Sequence, residues 1–463
     1  MKILQVASEM VPFAKTGGLA DVAGALPLAL EEWGEDIIVA LPRYKAVDPA
    51  KFKIIKLNND ISYSIIGKNI KVYFIENNKY FDRPALYGDK SGDYPDNLER
   101  FSYFCKRALQ LLKELKFIPD AIHCHDWQSA LIPVYLKNLY KKDSFYKKIK
   151  TLFTIHNIGY QGLFPKDEYP KLGLDWGLFN MEMLEFYGKI NILKGGIVFS
   201  DLISTVSEAY SREIQTEEFG FGMEGILNRR KNDVFGILNG LDYSIWDPAA
   251  DKLIAKNYSL KEPQGKLKDK EDLQRICKLP VKKEIPLIGI VSRLAEQKGF
   301  DIFAEALEQI CKMDLQLVIL GTGDLKYHAL LENAVKKYPK IIVLYLKFDD
   351  QLAHKIYAGS DMFLMPSKYE PCGLGQLISF KYGTIPIVFK TGGLADTVNK
   401  DNGFVLESYS KEDLIKAVQE GLAAFKNKEK WTKLVKQAMQ YNFSWETAAK
   451  KYVKLYEKAK AKP

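Results

Sequence analysis

The sequence predicts an α/β protein of two doubly wound domains, each a parallel sheet covered by helices. Three observations predict it. Short runs that are apolar on both faces alternate with helical patterns, as a sheet buried on both sides requires. The same rhythm fills both halves of the chain. At 463 residues, the chain is also too long for one hydrophobic core.

In the first half the strand candidates are ILQVA (3–7), DIIVALP (36–42), KVYFIE (71–76), AIHC (121–124), TLFTI (151–155) and LISTV (202–206). The opening MKILQVASEM has only a short apolar run that ends in acid, so it reads as a first strand and not as a signal peptide. Between strands, LERFSYFCKRALQLLKEL puts Phe101, Cys105, Ala108, Leu109, Leu112 and Leu115 on one helical face. The second half continues with PLIGIVSR (286–293), LQLVILG (315–321), IIVLYL (341–346), DMFLMP (361–366) and IPIVF (385–389). Each is followed by a helical pattern, so right-handed parallel crossovers are expected in both halves.

The polar stretch NYSLKEPQGKLKDKEDLQ (257–274) has weak patterning, and the joint is expected between Asn239 and Lys283. The expected division is 1–240, 241–445 and a C-terminal helix over 446–463 that crosses back to the first domain. Ligands of such sheets bind at the carboxyl ends of the strands, so a cleft between the two domains is the expected place for chemistry.

Composition excludes several classes. Hydrophobic residues at 47% and charged residues at 27% are ordinary for globular proteins, and no apolar run reaches the length of a membrane helix. Cys105, Cys124, Cys277, Cys311 and Cys372 are scattered without a CxxC pair, which predicts neither disulfides nor zinc and suggests a reducing cytoplasm. A net charge of +9 without a basic stripe gives no support for nucleic-acid binding. The basic tail carries Val453, Leu455 and Tyr456 at helical spacing and reads as an amphipathic helix.

Strand-end motifs carry the expected chemistry. KTGGLAD occurs at 15–21 and again at 390–396. The first copy follows a strand and opens a helix, so Lys15, Gly17 and Gly18 form a candidate anion loop, with Asp21 in the same motif. The flanks of the two copies do not match, so duplication is rejected, and the second copy reads equally as a glycine turn. SRLAEQKG (292–299) sets Arg293 and Lys298 at a strand end, where two cations can hold a diphosphate without a metal. LGTGDL adds Gly321 as a candidate nucleotide contact. PSKYEPCGLGQ (366–376) carries Glu370 ahead of Cys372, Gly373, Leu374 and Gly375, an acid for sugar hydroxyls beside backbone amides for phosphate. HCHDWQSAL (123–131) and TIHNIGYQG (154–162) bring Asp126 and His156 as cleft residues; His123 and His125 lack further metal ligands nearby.

Taken in order, KTGGLAD, GDYPDNLERF, HDWQSAL, TIHNIGYQG, GILNGLD, SRLAEQKG, PSKYEPCGLGQ and the second KTGGLAD resemble the bacterial glycogen synthases and plant starch synthases over nearly the whole chain. The resemblance implies the GT-B architecture and a retaining transfer of glucose from ADP-glucose to the non-reducing 4-OH of an α-1,4-glucan. It implies no metal or other cofactor, and no nucleic-acid or membrane partner. The alternatives are a related retaining glucosyltransferase that uses UDP-glucose or a short maltooligosaccharide acceptor, and a catalytically weak glucan-binding protein.

By motif match, Lys15 with Gly17–Gly18 and the pair Arg293 and Lys298 are expected on the donor phosphates, Glu370 on the glucose hydroxyls, and the Cys372–Gly375 amides on phosphate. Asp126, His156 and Asn239 are expected beside the anomeric carbon, and Phe348 on the adenine side. The chain departs from the family pattern at Lys368 (commonly Arg), Lys347 (Gly) and Gln128 (often His). Ile378 stands where the wider class of retaining transferases often has a second acid.

Overall fold

The structure, a computed structural model, describes residues 1–462. Contacts divide the chain into two compact units, Met1–Gly240 with the chain from Trp445 onward, and Leu241–Ser444.

The first unit is built on a nine-stranded sheet. In spatial order its strands are Val234–Gly236, Leu202–Thr205, Lys150–Ile155, Ala121–His125, Lys2–Val6, Asp36–Pro42, Ile70–Ile75, Ile61–Ile66 and Ile55–Lys56. Pairing is parallel from Val234–Gly236 through Ile70–Ile75, and the last two strands extend the edge antiparallel. The central strands are buried throughout after their first residue, which is why they read as doubly apolar runs. No doubly apolar run marks the antiparallel extension in the sequence. ISYSII alternates small polar and apolar residues, and its outward face meets solvent at Ile65.

The helix Trp445–Ala461 belongs to this unit and buries Tyr452, Leu455, Tyr456 and Ala459. It packs against the helix Gly18–Glu32 and the sheet, and its Tyr456 hydroxyl lies 2.8 Å from His123 Nδ1. Lys460 pairs with Asp120 at 2.8 Å.

The second unit carries a six-stranded sheet, in order Ile342–Tyr345, Gln316–Leu320, Leu287–Val291, Met362–Met365, Ile385–Phe389 and Phe404–Leu406, all parallel. Its core runs from Ile288 and Phe303 through Leu364 and Ile387 to Leu414 and Trp431. The helix Gly265–Ile276 begins inside the weakly patterned stretch and runs two residues past it. Its buried face includes Asp269, Lys270 and Gln274 alongside Leu273, and Lys270 is fixed to Asp361 at 2.6 Å. Polar groups do there what an apolar stripe does elsewhere, so hydrophobic periodicity does not reveal it.

Both sheets reverse direction once. In the first unit Asp36–Pro42 is added on one side of Lys2–Val6, the next three strands are laid beyond it from the edge inward, and the chain then crosses to add Ala121–His125 on the other side of Lys2–Val6. In the second, Leu287–Val291 and Met362–Met365 stand in the same relation. At each reversal the loops leaving two adjacent strands diverge, and that is where open α/β sheets take ligands.

Candidate active site

In the second unit the reversal carries the motifs SRLAEQKG and PSKYEPCGLGQ. Gly299 ends the first loop with φ of +78° and opens the helix Phe300–Ile310. A Cβ at this position would lie 2.0 Å from the Pro366 carbonyl oxygen, so only glycine brings the two loops this close. Gln297 stitches them further, donating to the Tyr369 carbonyl at 3.2 Å and accepting the Lys368 N–H at 3.1 Å. Lys298 Nζ then reaches the Glu370 carboxylate at 2.6 Å, and Ser367 Oγ donates to the same oxygen at 3.0 Å. Glu370 is 7% exposed and Lys298 half-buried, whereas Arg293 is exposed and donates to Gln297 Oε1 at 3.2 Å. A cation and an acid are thus fixed against one another at one strand reversal.

The glycines around them divide by role. A Cβ on Gly321 would meet the Ser292 carbonyl oxygen at 1.8 Å, so this glycine is required by packing between adjacent loops. Gly373 has φ of +73°, and Gly375 begins the short helix Gly375–Lys381 with Leu374 before it. Cys372 is buried and its carbonyl accepts from Gln376 Nε2 at 3.0 Å. Phe348 is 89% exposed, beyond the edge strand Ile342–Tyr345, and the neighbouring Lys347 pairs with Asp349 at 2.7 Å. Lys368 lies over the Tyr409 ring, and Ile378 is buried in the core.

The second KTGGLAD follows Ile385–Phe389, one strand away from the reversal. Gly392 has φ of +44°, and the Gly393 N–H donates to the Glu370 carbonyl at 3.1 Å. A Cβ on Gly393 would stand 1.9 Å from the Cys372 carbonyl oxygen. Both glycines are buried, so this copy buttresses the Glu370 loop, the glycine-turn option of the sequence reading.

The first copy sits at the reversal of its own sheet and is built differently. Lys15, Thr16, Gly17 and Gly18 are exposed, and a Cβ on Gly17 or Gly18 would meet nothing within 4 Å. Lys15 pairs with Asp21 at 2.7 Å. The Gly17 N–H is taken by the Glu9 carboxylate at 3.0 Å, together with that of Thr16 at 2.5 Å. These amides are committed within the protein, and the cation and the open backbone at Gly18 remain on the surface.

Asp126 and His156 come together at the ends of adjacent strands. Asp126 has φ of +54°, a left-handed conformation that aspartate tolerates better than most residues. Its Oδ1 accepts the backbone N–H of His156 at 2.7 Å. Burial pushes the Asp126 carboxyl up to about 7, opposed by amide hydrogen bonds from His156 and Asn157 and assisted by the charge of Glu9. Burial lowers His156 to about 3. Its Nε2 lies 2.9 Å from His125 Nδ1, a neighbour the sequence reading considered only as a metal ligand. His123 is enclosed by Tyr456 and Thr154, with Nε2 2.6 Å from the threonine hydroxyl. Burial holds His123 and His125 well below the usual histidine range. Asn239 is 7% exposed near the end of the first unit, and its buried Oδ1 has no partner. The buried Gln128 likewise leaves Oε1 without one.

Sequence reasoning passed over Glu9, Ser367 and Gln297. Glu9 stands three residues beyond a strand end, the one signal that pointed to it; the other two become visible only when the loops are placed side by side. Among the described residues no group of three or more His, Cys, Asp or Glu is arranged to hold a metal ion, and no helix is long and apolar enough to cross a membrane.

The chain matches two family models, the starch synthase catalytic domain over residues 2–229 and glycosyl transferases group 1 over 273–440. It is 49% identical to a glycogen synthase of Geotalea uraniireducens, covering 100% of this chain and 99% of the relative. A glycogen synthase of Thermosipho melanesiensis is 48% identical with 100% of both chains covered. Among solved structures, the catalytic domain of starch synthase IV from Arabidopsis thaliana, bound to ADP and acarbose, superposes with a TM-score of 0.90 at 32% identity, covering 100% of this chain and 99% of that one. A sucrose-phosphate synthase from Thermosynechococcus elongatus shares the fold, with a TM-score of 0.62 at 18% identity and coverage of 99% and 98%. The chain belongs to the glycogen and starch synthase family, glycosyltransferases of the GT-B fold class.

Proposed function

We propose that the chain transfers glucose from ADP-glucose to the non-reducing 4-OH of an α-1,4-glucan with retention, and that Arg293, Lys298 and Glu370 do the central work. The observation that carries this assignment is the Lys298–Glu370 pair, 2.6 Å apart at the strand reversal of the second unit. Breaking the C1–O bond puts negative charge on the departing ADP and positive charge on the sugar ring. Fixed cations stabilise the first, and nearby oxygens stabilise the second. Arg293 and Lys298 hold the diphosphate, and Glu370 orients the glucose hydroxyls. Lys15 adds a cation to the donor phosphates, with Gly17 and Gly18 leaving room for a ligand to approach the backbone. His156, uncharged at neutral pH because burial lowers it to about 3, contributes a polar ring beside the reacting sugar without adding positive charge. Asp126 keeps the His156 backbone in place.

The test is to supply glycogen with radiolabelled ADP-glucose or UDP-glucose and then digest the product with an exo-acting α-1,4 glucanase. Label is expected in glycogen from ADP-glucose, and the digestion is expected to release it. Glucan growth with neither donor overturns the assignment.

A further inference from the structure

Glu9 is 4% exposed, three residues past the end of the Lys2–Val6 strand, and its carboxylate accepts four hydrogen bonds. Three come from the KTGG loop: the Thr16 N–H at 2.5 Å and the Gly17 N–H at 3.0 Å on one oxygen, and the Thr16 hydroxyl at 2.6 Å on the other. The fourth is the Tyr87 hydroxyl at 2.8 Å, which also lies 2.7 Å from Ser8 Oγ. The Lys15–Gly18 segment itself is exposed, and a Cβ on either glycine would meet nothing within 4 Å. An exposed loop with two glycines has many conformations of similar energy. Charge-assisted hydrogen bonds to one buried carboxylate select among them.

We propose that Glu9 is a positioning residue for the donor, fixing the conformation of the KTGG loop and thereby the place of Lys15, without touching the donor itself. Its carboxylate stands under the loop much as an anion stands at a turn of successive amides, so the amides of Thr16 and Gly17 serve the loop and not the phosphates. The chemistry needs the full carboxylate. A glutamine keeps one oxygen for the two amides but replaces the other with an NH2 that only donates, so the Thr16 and Tyr87 hydroxyls must turn round to accept and the charge that strengthens all four bonds is lost. An aspartate is one methylene shorter and does not reach both residues. The inference rests on the assignment of Lys15 to the donor phosphates.

The test is steady-state kinetics with ADP-glucose and glycogen, each varied at saturating levels of the other, on Lys15→Ala, Glu9→Gln, Thr16→Val and Glu9→Gln/Thr16→Val. Each variant is also followed by thermal unfolding. Lys15→Ala and Glu9→Gln are each expected to raise the donor KM about tenfold or more, the scale of one lost charged hydrogen bond, with the glycogen KM changed less than about twofold. Thr16→Val is expected to raise the donor KM by a smaller factor and to add nothing in the double variant, because it removes a donor that Glu9→Gln has already disengaged.

An unchanged donor KM in Lys15→Ala overturns the assignment of the loop. A normal donor KM in Glu9→Gln, alongside a defective Lys15→Ala, overturns the role of Glu9 alone. A multiplicative double variant, or equal rises in both KM values, also overturns it by showing that Glu9 acts elsewhere. If Glu9→Gln fails to fold, Thr16→Val carries the decision: a donor-specific rise with an unshifted melting temperature supports the proposal, and a normal donor KM rejects it.

Discussion

Substituting Lys298 by alanine separates what the Lys298–Glu370 pair does for folding from what Lys298 does for catalysis. The lysine side chain is 19% exposed and the glutamate 9%, and the ion pair spans 2.6 Å. Removal of Lys298 leaves the Glu370 carboxylate enclosed, with Ser367 Oγ still donating at 3.0 Å. Breaking a buried pair by deleting one partner costs about 3–5 kcal/mol, and the partial exposure of Lys298 favours the lower end, about 3 kcal/mol. For a unit of this size that lowers Tm by roughly 6–12 °C. Catalysis suffers separately, because a fixed cation at a developing negative charge is worth about 10²–10³ in kcat.

The double variant Lys298→Ala/Glu370→Gln distinguishes the two losses. With no charge left enclosed, it is expected to regain about 2 kcal/mol over Lys298→Ala, while glucose transfer falls further. Calorimetric unfolding and ADP release at saturating glycogen measure both. The reasoning is refuted if the two substitutions destabilise additively, or if Lys298→Ala loses stability and keeps near-normal turnover.

Further outcomes follow from the same geometry. Because burial raises Asp126 from 3.8 to about 7, the folded chain retains a proton that the unfolded chain has released. Its contribution is therefore present below pH 4 and lost as pH rises through about 7, up to about 4 kcal/mol, and Asp126→Asn should leave stability rising with pH between about 4 and 6.5 in urea titrations, because the opposite slope of His156 is then no longer offset. His156 works in the opposite sense. With its pKa depressed to about 3, it contributes stability above pH 6.5 that is lost as pH falls, so the two slopes nearly cancel between about pH 4 and 6.5 and His156→Gln should leave stability falling as pH rises through that window. The two KTGGLAD copies should also part on mutation. Gly393→Ala drives a Cβ to within 1.9 Å of the Cys372 carbonyl oxygen and should destabilise by about 1–3 kcal/mol with loss of transfer activity. Gly18→Ala meets open space and should change stability by no more than about 0.5 kcal/mol, as melting curves would show.

The parallel sheets were legible because burial on both faces writes continuous apolar runs into strands such as DIIVALP and IPIVF. The edge strands Ile61–Ile66 and Ile55–Lys56 escaped because a half-solvated antiparallel edge alternates and resembles a loop. The helix Gly265–Ile276 escaped because Lys270 and Asp361 form its anchor across 91 residues, a pairing that no local window contains. At the candidate site, cations and acids at strand ends were visible from spacing alone. Their mutual arrangement was not. That Lys298 reaches Glu370, that Gly393 supports the Glu370 backbone and that Glu9 occupies the amides under the first KTGGLAD depend on which strands neighbour one another. The two identical heptapeptides illustrate the point. One opens into solvent at a strand reversal and the other is buried against a neighbouring loop, a difference set entirely by their position in the sheets.

The most direct test of the proposed activity is to measure ADP release and glucosyl incorporation into glycogen in the same reaction, started with ADP-glucose. The expected result is one ADP released per glucose added, with both dependent on glucan and both lost in Lys298→Ala. Binding of glycogen without ADP release, or ADP release without growth of the glucan, would contradict it.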